Sequence, residues 1–246
     1  MKGVILAGGL GTRLHPLTRV TNKHLLPVYD KPMIYYPIEA LIDAGVTDIL
    51  IVTGGSNSGD FLKLLRNGKE FGLKHLNYTY QEGEGGIADA LSLAEYFADG
   101  EPICVVLGDN IFENGIRPAI EGYPGTGARV LLAEVDDPER FGVAVIDGDH
   151  IARIEEKPAH PKSNFAVTGV YVYDSKVFEI IKGLEQSERG ELEITDVNNR
   201  YIAWGALTYG KVEGWWTDAG TFESLQRAST LVHRQREAGA AARTAG

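Results

Sequence analysis

The sequence predicts an α/β protein with a mostly parallel, Rossmann-like sheet flanked by helices. Three observations carry this. Up to residue 110, short apolar runs alternate with stretches whose apolar residues recur at helical spacing, the pattern of successive strand–helix units. Glycine-rich or polar turns follow the apolar runs, as in GVILAGGLG and VVLGDN. The 246 residues, 43% hydrophobic and 24% charged, suffice for one large soluble domain with a substantial core.

GVILA (3–7) reads as the first strand, and PIEALIDAG (37–45) as a helix with Ile38, Leu41 and Ile42 at helical spacing. DILIVTG (48–54) is a strand. SGDFLKLLRNG (58–68) is helical, with Phe61, Leu62 and Leu65 on one face and Ser58 or Asp60 as its cap. LNYTYQ (76–81) alternates like a strand, and IADALSLAEYF (87–97) groups Ile87, Ala90, Leu91 and Ala94 on one helix. PICVVLGD (102–109) is a continuous buried strand, in which Cys104 serves as a small hydrophobe. In such sheets ligands bind beyond the carboxyl ends of the strands. The Gly8–Gly11 turn, Gln81 and Asp109 all stand at strand ends, which makes them candidates for one shared cleft.

The second half is richer in strands: ARVLLAEV (128–135), GVAVID (142–147), HIARIEEKP (150–158) and FAVTGVYVYD (165–174). SKVFEIIKGL (175–184) and EITDVNNRYIAWG (193–205) are helical. LTYGKVEGWW (207–216) is one strand ending at TDAGT, and TFESLQRASTLVHRQRE (221–237) is a long helix. Residues 236–246 have little to anchor them and read as a flexible tail. No repeat or linker divides the chain, which predicts a single domain over 1–235.

Lys and Arg number 24 against 34 Asp and Glu, a net charge of −10 that argues against broad nucleic-acid or membrane binding. A few Arg and Lys can still build a local site for an anionic small molecule. The single cysteine excludes intrachain disulfides and Cys-based zinc clusters. No apolar run reaches membrane-spanning length and no signal-peptide pattern opens the chain, so a cytoplasmic location is expected.

The glycine turn LAGGLGTRL is the most informative stretch. A dinucleotide fingerprint needs GxGxxG, and in the register from Gly9 the third glycine is Leu14. The Gly-Lys-Ser/Thr of a Walker A loop is absent. What remains is a flexible loop offering backbone N–H groups to phosphate oxygens, followed by Thr12 and the fixed positive fork of Arg13.

GGxGTRLxPLT followed by K-x-LLPVxxKPMI resembles the sugar-nucleotide pyrophosphorylases, most closely the glucose-1-phosphate thymidylyltransferases. VLGDNIF, DPERFGV, EEKP, AVTGVYVYD, RGELEITD and W-x-DAGT follow in the family's order, so the likeness spans residues 3 to about 227. It implies a nucleotide-diphospho-sugar transferase fold with an inserted sugar-binding β region, a nucleotide half at 1–110 and a sugar-phosphate half at 111–235. The implied reaction joins dTTP and α-D-glucose 1-phosphate into dTDP-glucose and pyrophosphate by direct displacement at the α-phosphorus. Positioning, positive charge and metal suffice for this, because a phosphate monoester with a second pKa of about 6 is already ionised.

By the same resemblance Leu6, Ala7, Gly8, Gly9, Gly11 and Thr12 line the nucleotide, while Arg13 and Lys23 hold the triphosphate. Gln81 and Gly86 meet the pyrimidine. Here EGEG separates those two where a proline-containing stretch is usual, and Ile87 stands where leucine is usual. Asp109 and Asp218 share Mg²⁺, a cation that takes one or two carboxylates plus phosphates; an N-cap on the last helix is the rival role for Asp218. Asn110, Gly142, Glu156, Lys157, Val167 and Arg189 face the sugar phosphate, Lys157 counting with Arg13, Lys23 and Asp109 as catalytic. Phe141 replaces a frequent tyrosine.

Relatives are commonly dimers or tetramers, so a homodimer or homotetramer is expected. Feedback-regulated members commonly carry a longer C-terminal helical extension, and this chain is expected to be a short form with weakened or absent end-product control at that second site. The alternatives are a UTP- or CTP-using hexose-1-phosphate nucleotidyltransferase and a non-catalytic nucleotide-sugar sensor. Retention of Asp109 and Asp218 beside Arg13, Lys23 and Lys157 speaks against the sensor.

Overall fold

The computed structural model describes residues 1–244, with side chains up to residue 241. Among the described residues, thirteen strands occur in chain order. β1 (Lys2–Ala7), β2 (Pro27–Val28), β3 (Lys31–Pro32), β4 (Asp48–Gly54), β5 (His75–Gln81), β6 (Ile103–Leu107) and β7 (Asn110–Phe112) come first. β8 (Ala128–Glu134), β9 (Gly142–Asp147), β10 (His150–Glu156), β11 (Phe165–Tyr173), β12 (Leu207–Lys211) and β13 (Trp216–Asp218) complete them. The helices are α1 (Tyr35–Asp43), α2 (Ser58–Leu65), α3 (Ile87–Ser92), α4 (Glu95–Ala98), α5 (Arg117–Glu121), α6 (Lys176–Lys182), α7 (Ile194–Ala203) and α8 (Phe222–Thr244).

The main sheet runs β10-β9-β11-β6-β1-β4-β5, with β8 joined to β11 and β12 to β8. β1 lies parallel to both β4 and β6, and β4 parallel to β5, so the nucleotide half is the parallel core that strand–helix alternation predicts. β11 then pairs antiparallel with β6, β8 and β9, which continues the same sheet into the second half.

Period-2 alternation splits β1 between the two faces. Val4 and Leu6 join Val52, Leu91, Tyr173 and Val197 under α3, α6 and α7. Ile5 and Ala7 join Ile38, Leu41, Ile51 and Phe61 under α1 and α2. A third cluster of Val28, Met33, Ile111, Ala219, Ala228 and Val232 packs α8 against the β7–β13 pair.

Several local expectations are corrected. The stretch 207–216 is two strands in different sheets: β12 pairs β8, whereas β13 pairs β7. The helix expected over 87–97 breaks between α3 and α4. Leu62 is half exposed while Phe61 and Leu65 are buried, and neither Ser58 nor Asp60 caps α2. Residues 236–244, expected as a flexible tail, continue α8, and 245–246 lie outside the described residues. That helix starts at a reciprocal pair: Ser224 Oγ accepts from Thr221 N at 3.0 Å, and Thr221 Oγ1 accepts from Ser224 N at 3.2 Å. Thr221, not Asp218, therefore caps it.

Candidate active site

The carboxyl ends of β1, β5 and β6 open into a cavity of about 430 Å³. Leu6, Gly8, Gly9, Thr12 and Arg13 line it from the glycine loop, and Lys23, Gln81, Gly86 and Asp109 from the facing elements. Gly9 and Gly11 hold φ of 84° and 62°, left-handed values that glycine adopts without strain. The loop grazes the end of β4, where a Cβ on Gly54 would stand 3.5 Å from Gly8 Cα. Leu14, fully buried, anchors the turn from below, which is why a leucine replaces the third glycine of a dinucleotide loop. Ala7 and Gly11 do not reach the cavity. Ala7 is buried, and the Gly11 carbonyl accepts from Thr18 Oγ1 at 2.7 Å and from Leu14 N. Glu84, on the EGEG stretch, accepts from Leu10 N at 3.1 Å and so places a carboxylate on the glycine loop.

Lys23 and Asp109 form an ion pair at 2.6 Å, with side chains 20% and 13% exposed. Burial by itself would raise the Asp109 carboxyl, but the Lys23 ammonium and the hydrogen bonds from Lys23 and Asn110 outweigh it and hold the group well below the usual carboxylate range. His24 next door contributes little charge. Its ring is buried against Gly108, where a Cβ would stand 2.7 Å from Cδ2, and burial with the adjacent Lys23 lowers its pKa to about 3.

The β7–β13 pair brings Asp218 to the same corner, with Asp218 opposite Asn110 in register and Ala219 N donating to the Asp109 carbonyl at 2.8 Å. A Cβ built on Gly220 would lie 3.3 Å from Asp218 Oδ2 and 3.6 Å from Asp109 Oδ2, so both carboxylates approach one point. Burial and the nearby Asp109 charge raise the Asp218 pKa, partly offset by Arg140 and Lys23. Two carboxylates that repel each other across a small gap suit a divalent cation. No group of three or more His, Cys, Asp or Glu able to hold a metal occurs among the described residues, so a divalent ion held here would take its remaining ligands from phosphate and water oxygens.

A second compartment of about 180 Å³ adjoins the first, sharing Arg13, Ile87, Leu107, Asp109 and Glu191 with it. Asn110, Gly142, Glu156, Lys157, Val167, Arg189 and Asp218 all line it. Asn110, however, spends its amide on the protein: Oδ1 accepts from Gly169 N and Trp216 Nε1, and Nδ2 donates to Asp109 Oδ1 at 3.0 Å. It is a brace joining β7, β11 and β13. Glu156 Oε2 accepts from Thr195 Oγ1 at 2.6 Å, and Glu156 Oε1 lies 3.6 Å from Lys157 Nζ. Arg189 grips Glu193 through Nη2 at 2.8 Å to each carboxylate oxygen. Lys157 holds a φ of 41°, a left-handed strain of roughly 1–3 kcal/mol that marks a constrained position.

Residues that sequence reasoning missed complete this compartment. Arg140 pairs with Asp137 at 2.6 Å and Asp218 at 3.4 Å, and Thr195 and Glu193 orient Glu156 and Arg189. These three lie inside DPERFGV and RGELEITD, so the motifs held the signal. Tyr171 and Asn198 also line the wall; Tyr171 lies inside AVTGVYVYD, whereas Asn198 falls outside every motif.

A family model described as Nucleotidyl transferase matches residues 2–235. The chain is 46% identical over 238 residues to a glucose-1-phosphate thymidylyltransferase of Neisseria meningitidis, covering 94% of this chain and 82% of that protein. It is 44% identical over 237 residues to the enzyme of the same name from Xanthomonas campestris, covering 94% and 80%. A Bacillus anthracis crystal structure, assigned as a glucose-1-phosphate thymidylyltransferase and complexed with a sucrose, superposes with a TM-score of 0.90 at 56% identity over 94% of both chains. A UDP-glucose pyrophosphorylase complexed with UDP-glucose shares the fold, with a TM-score of 0.82 at 24% identity over 95% of this chain and 98% of that one. With a glycine loop, two converging carboxylates and an adjoining second compartment at the carboxyl ends of the parallel strands, the chain belongs to the nucleotidyl transferase family.

Proposed function

We propose that this protein joins dTTP and α-D-glucose 1-phosphate to give dTDP-glucose and pyrophosphate. The carrying observation is the junction of the two compartments at Arg13 and Asp109, where the α-phosphate of one substrate and the phosphate of the other would meet. A phosphate oxygen of the sugar attacks the α-phosphorus, the bond to the bridging oxygen breaks, and the β,γ-phosphates leave as pyrophosphate. The nucleophile is already ionised near neutral pH, so the chain need not take a proton.

Its task is to hold two anions together. Arg13 forks onto the departing phosphates, and Lys23 follows as a mobile point charge once it leaves Asp109. Lys157 and Arg189 neutralise the attacking phosphate, while Glu156, held by Thr195, accepts from sugar hydroxyls beside the close wall at Gly142 and Val167. Asp109 and Asp218 would hold Mg²⁺, which when bound supplies Lewis-acid stabilisation of charge developing on the phosphates. Residues 1–110 thereby serve the nucleotide and 111–235 the sugar phosphate, within one domain.

A homodimer or homotetramer in the cytoplasm fits the resemblance to the family. No helix among the described residues is long and apolar enough to cross a membrane. The test is incubation with glucose 1-phosphate, Mg²⁺ and each nucleoside triphosphate in turn, measuring pyrophosphate. dTTP is expected to give the fastest release, with UTP trailing by about tenfold because it lacks only a methyl. Silence with both dTTP and UTP overturns the proposal.

A further inference from the structure

Gln81 ends β5 and is 5% exposed, yet its side chain lines the nucleotide cavity. Its amide nitrogen donates to the Gly86 carbonyl at 3.2 Å and to Asp89 Oδ2 at 2.7 Å. Gly86 O has no proton to give, and neither has an ionised carboxylate, so the amide cannot be turned over without setting its oxygen against two acceptors. Oε1 consequently points the other way, 2.7 Å from where a Cβ on Gly8 would stand. It is a fixed acceptor offered to whatever fills the cavity. Asp89 sits in the first turn of α3 and reaches Gln81 because Gly85 passes over it without a side chain: a Cβ there would lie 2.5 Å from Asp89 Oδ2.

We propose that Asp89 is a positioning residue for base selection, locking the Gln81 amide so that the cavity accepts a nucleobase presenting an imide N–H. Thymine and uracil offer N3–H to Oε1. Cytosine presents a bare N3 acceptor there, and two lone pairs meet. The inference rests on reading this cavity as the nucleotide site. A mispaired base edge of this kind is worth roughly a hundredfold in affinity.

The experiment measures binding of dTTP, UTP and CTP to the full chain by calorimetry with Mg²⁺, beside pyrophosphate release with glucose 1-phosphate. The parent is expected to prefer dTTP over CTP by about a hundredfold. In Asp89→Asn the new amide can present its NH₂ to a flipped Gln81, so only the Gly86 carbonyl still opposes that orientation and the lock is weakened. The dTTP-to-CTP preference should then fall at least tenfold while the dTTP-to-UTP ratio stays put. Gly85→Ala displaces the carboxylate without deleting it and should shift the same ratio in the same direction, even if Asp89→Asn folds poorly. A parent that binds dTTP and CTP alike overturns the proposal. So do variants that weaken all three triphosphates in proportion, since a merely structural Asp89 would do that. A parent that selects dTTP in binding but releases no pyrophosphate sinks the transferase reading, and a collapsing ratio in the variants would still support Asp89.

Discussion

Replacing Lys23 by methionine keeps the apolar stem and deletes the ammonium 2.6 Å from Asp109 Oδ2. Asp109 then stays buried without its main cation, with Asp218 at the same corner. Removing one member of a buried pair costs about 3 kcal/mol, a fall in Tm of roughly 6–12 °C for a chain of this length. Adding Asp109→Asn should restore about 2 kcal/mol, because the orphaned charge is then gone. The pH dependence gives a sharper readout. In the parent the folded pKa of Asp109 is depressed, so its contribution is present above the unfolded value near 4 and is lost as pH falls below it. Without Lys23, burial dominates and raises the pKa, so the same carboxyl costs stability as pH rises past about 4. Thermal melts from pH 3 to 8 in EDTA, on the parent, both single variants and the double variant, measure both effects. A Lys23→Met protein that melts with the parent and keeps its acid limb refutes the argument.

Asp109→Asn should cut turnover about a hundredfold or more while dTTP binding changes only a few-fold, because one metal ligand acts mainly on developing charge; single-turnover kinetics and calorimetry separate the two. Thr195→Val frees Glu156 Oε2 from its 2.6 Å hydrogen bond and should raise the KM for glucose 1-phosphate about tenfold with little change in kcat. Thr221→Ala should destabilise the protein by about 1 kcal/mol through loss of the reciprocal cap on α8, whereas Asp218→Asn should not destabilise it in EDTA, since it removes a raised, mutually repelled carboxyl. His24, with a folded pKa of about 3 against an unfolded 6.5, costs nothing above pH 6.5 and on the order of 4 kcal/mol by pH 3. The acid limb should therefore flatten in His24→Gln.

The parallel core was legible because strands buried on both faces are written as unbroken apolar runs, and β4 and β6 are such runs. Their carboxyl ends mark the cleft, which is how Gly8, Gln81 and Asp109 could be grouped before any coordinates. The β7–β13 pair was not legible. Three residues a side carry no periodicity, and the apolar stretch 207–216 hides a switch from β8 to β7 as partner. Yet that pair sets Asp218 beside Asp109. The motif resemblance named both aspartates, but only the fold explains why they converge. Gln81 shows the converse limit. Its position at a strand end is visible in sequence, but the direction of its amide depends on Asp89, eight residues on, and on Gly85 leaving room.

The charges show a further property that no motif states. On a chain of net −10, the site's cations are already committed: Lys23 to Asp109, Arg140 to Asp137 and Asp218, Lys157 to Glu156, and Arg189 to Glu193. Arg13 alone of the proposed cations has no carboxylate partner among the described residues. Substrate phosphates must therefore exchange for side-chain carboxylates rather than fill an empty positive pocket. Such exchange moderates ground-state affinity, because each of these four paired cations must leave a carboxylate to meet a phosphate. It leaves the full attraction available where negative charge grows on the departing oxygens, and that difference is what accelerates a reaction. Arg13, free from the outset and shared by both compartments, is the cation able to engage the triphosphate first.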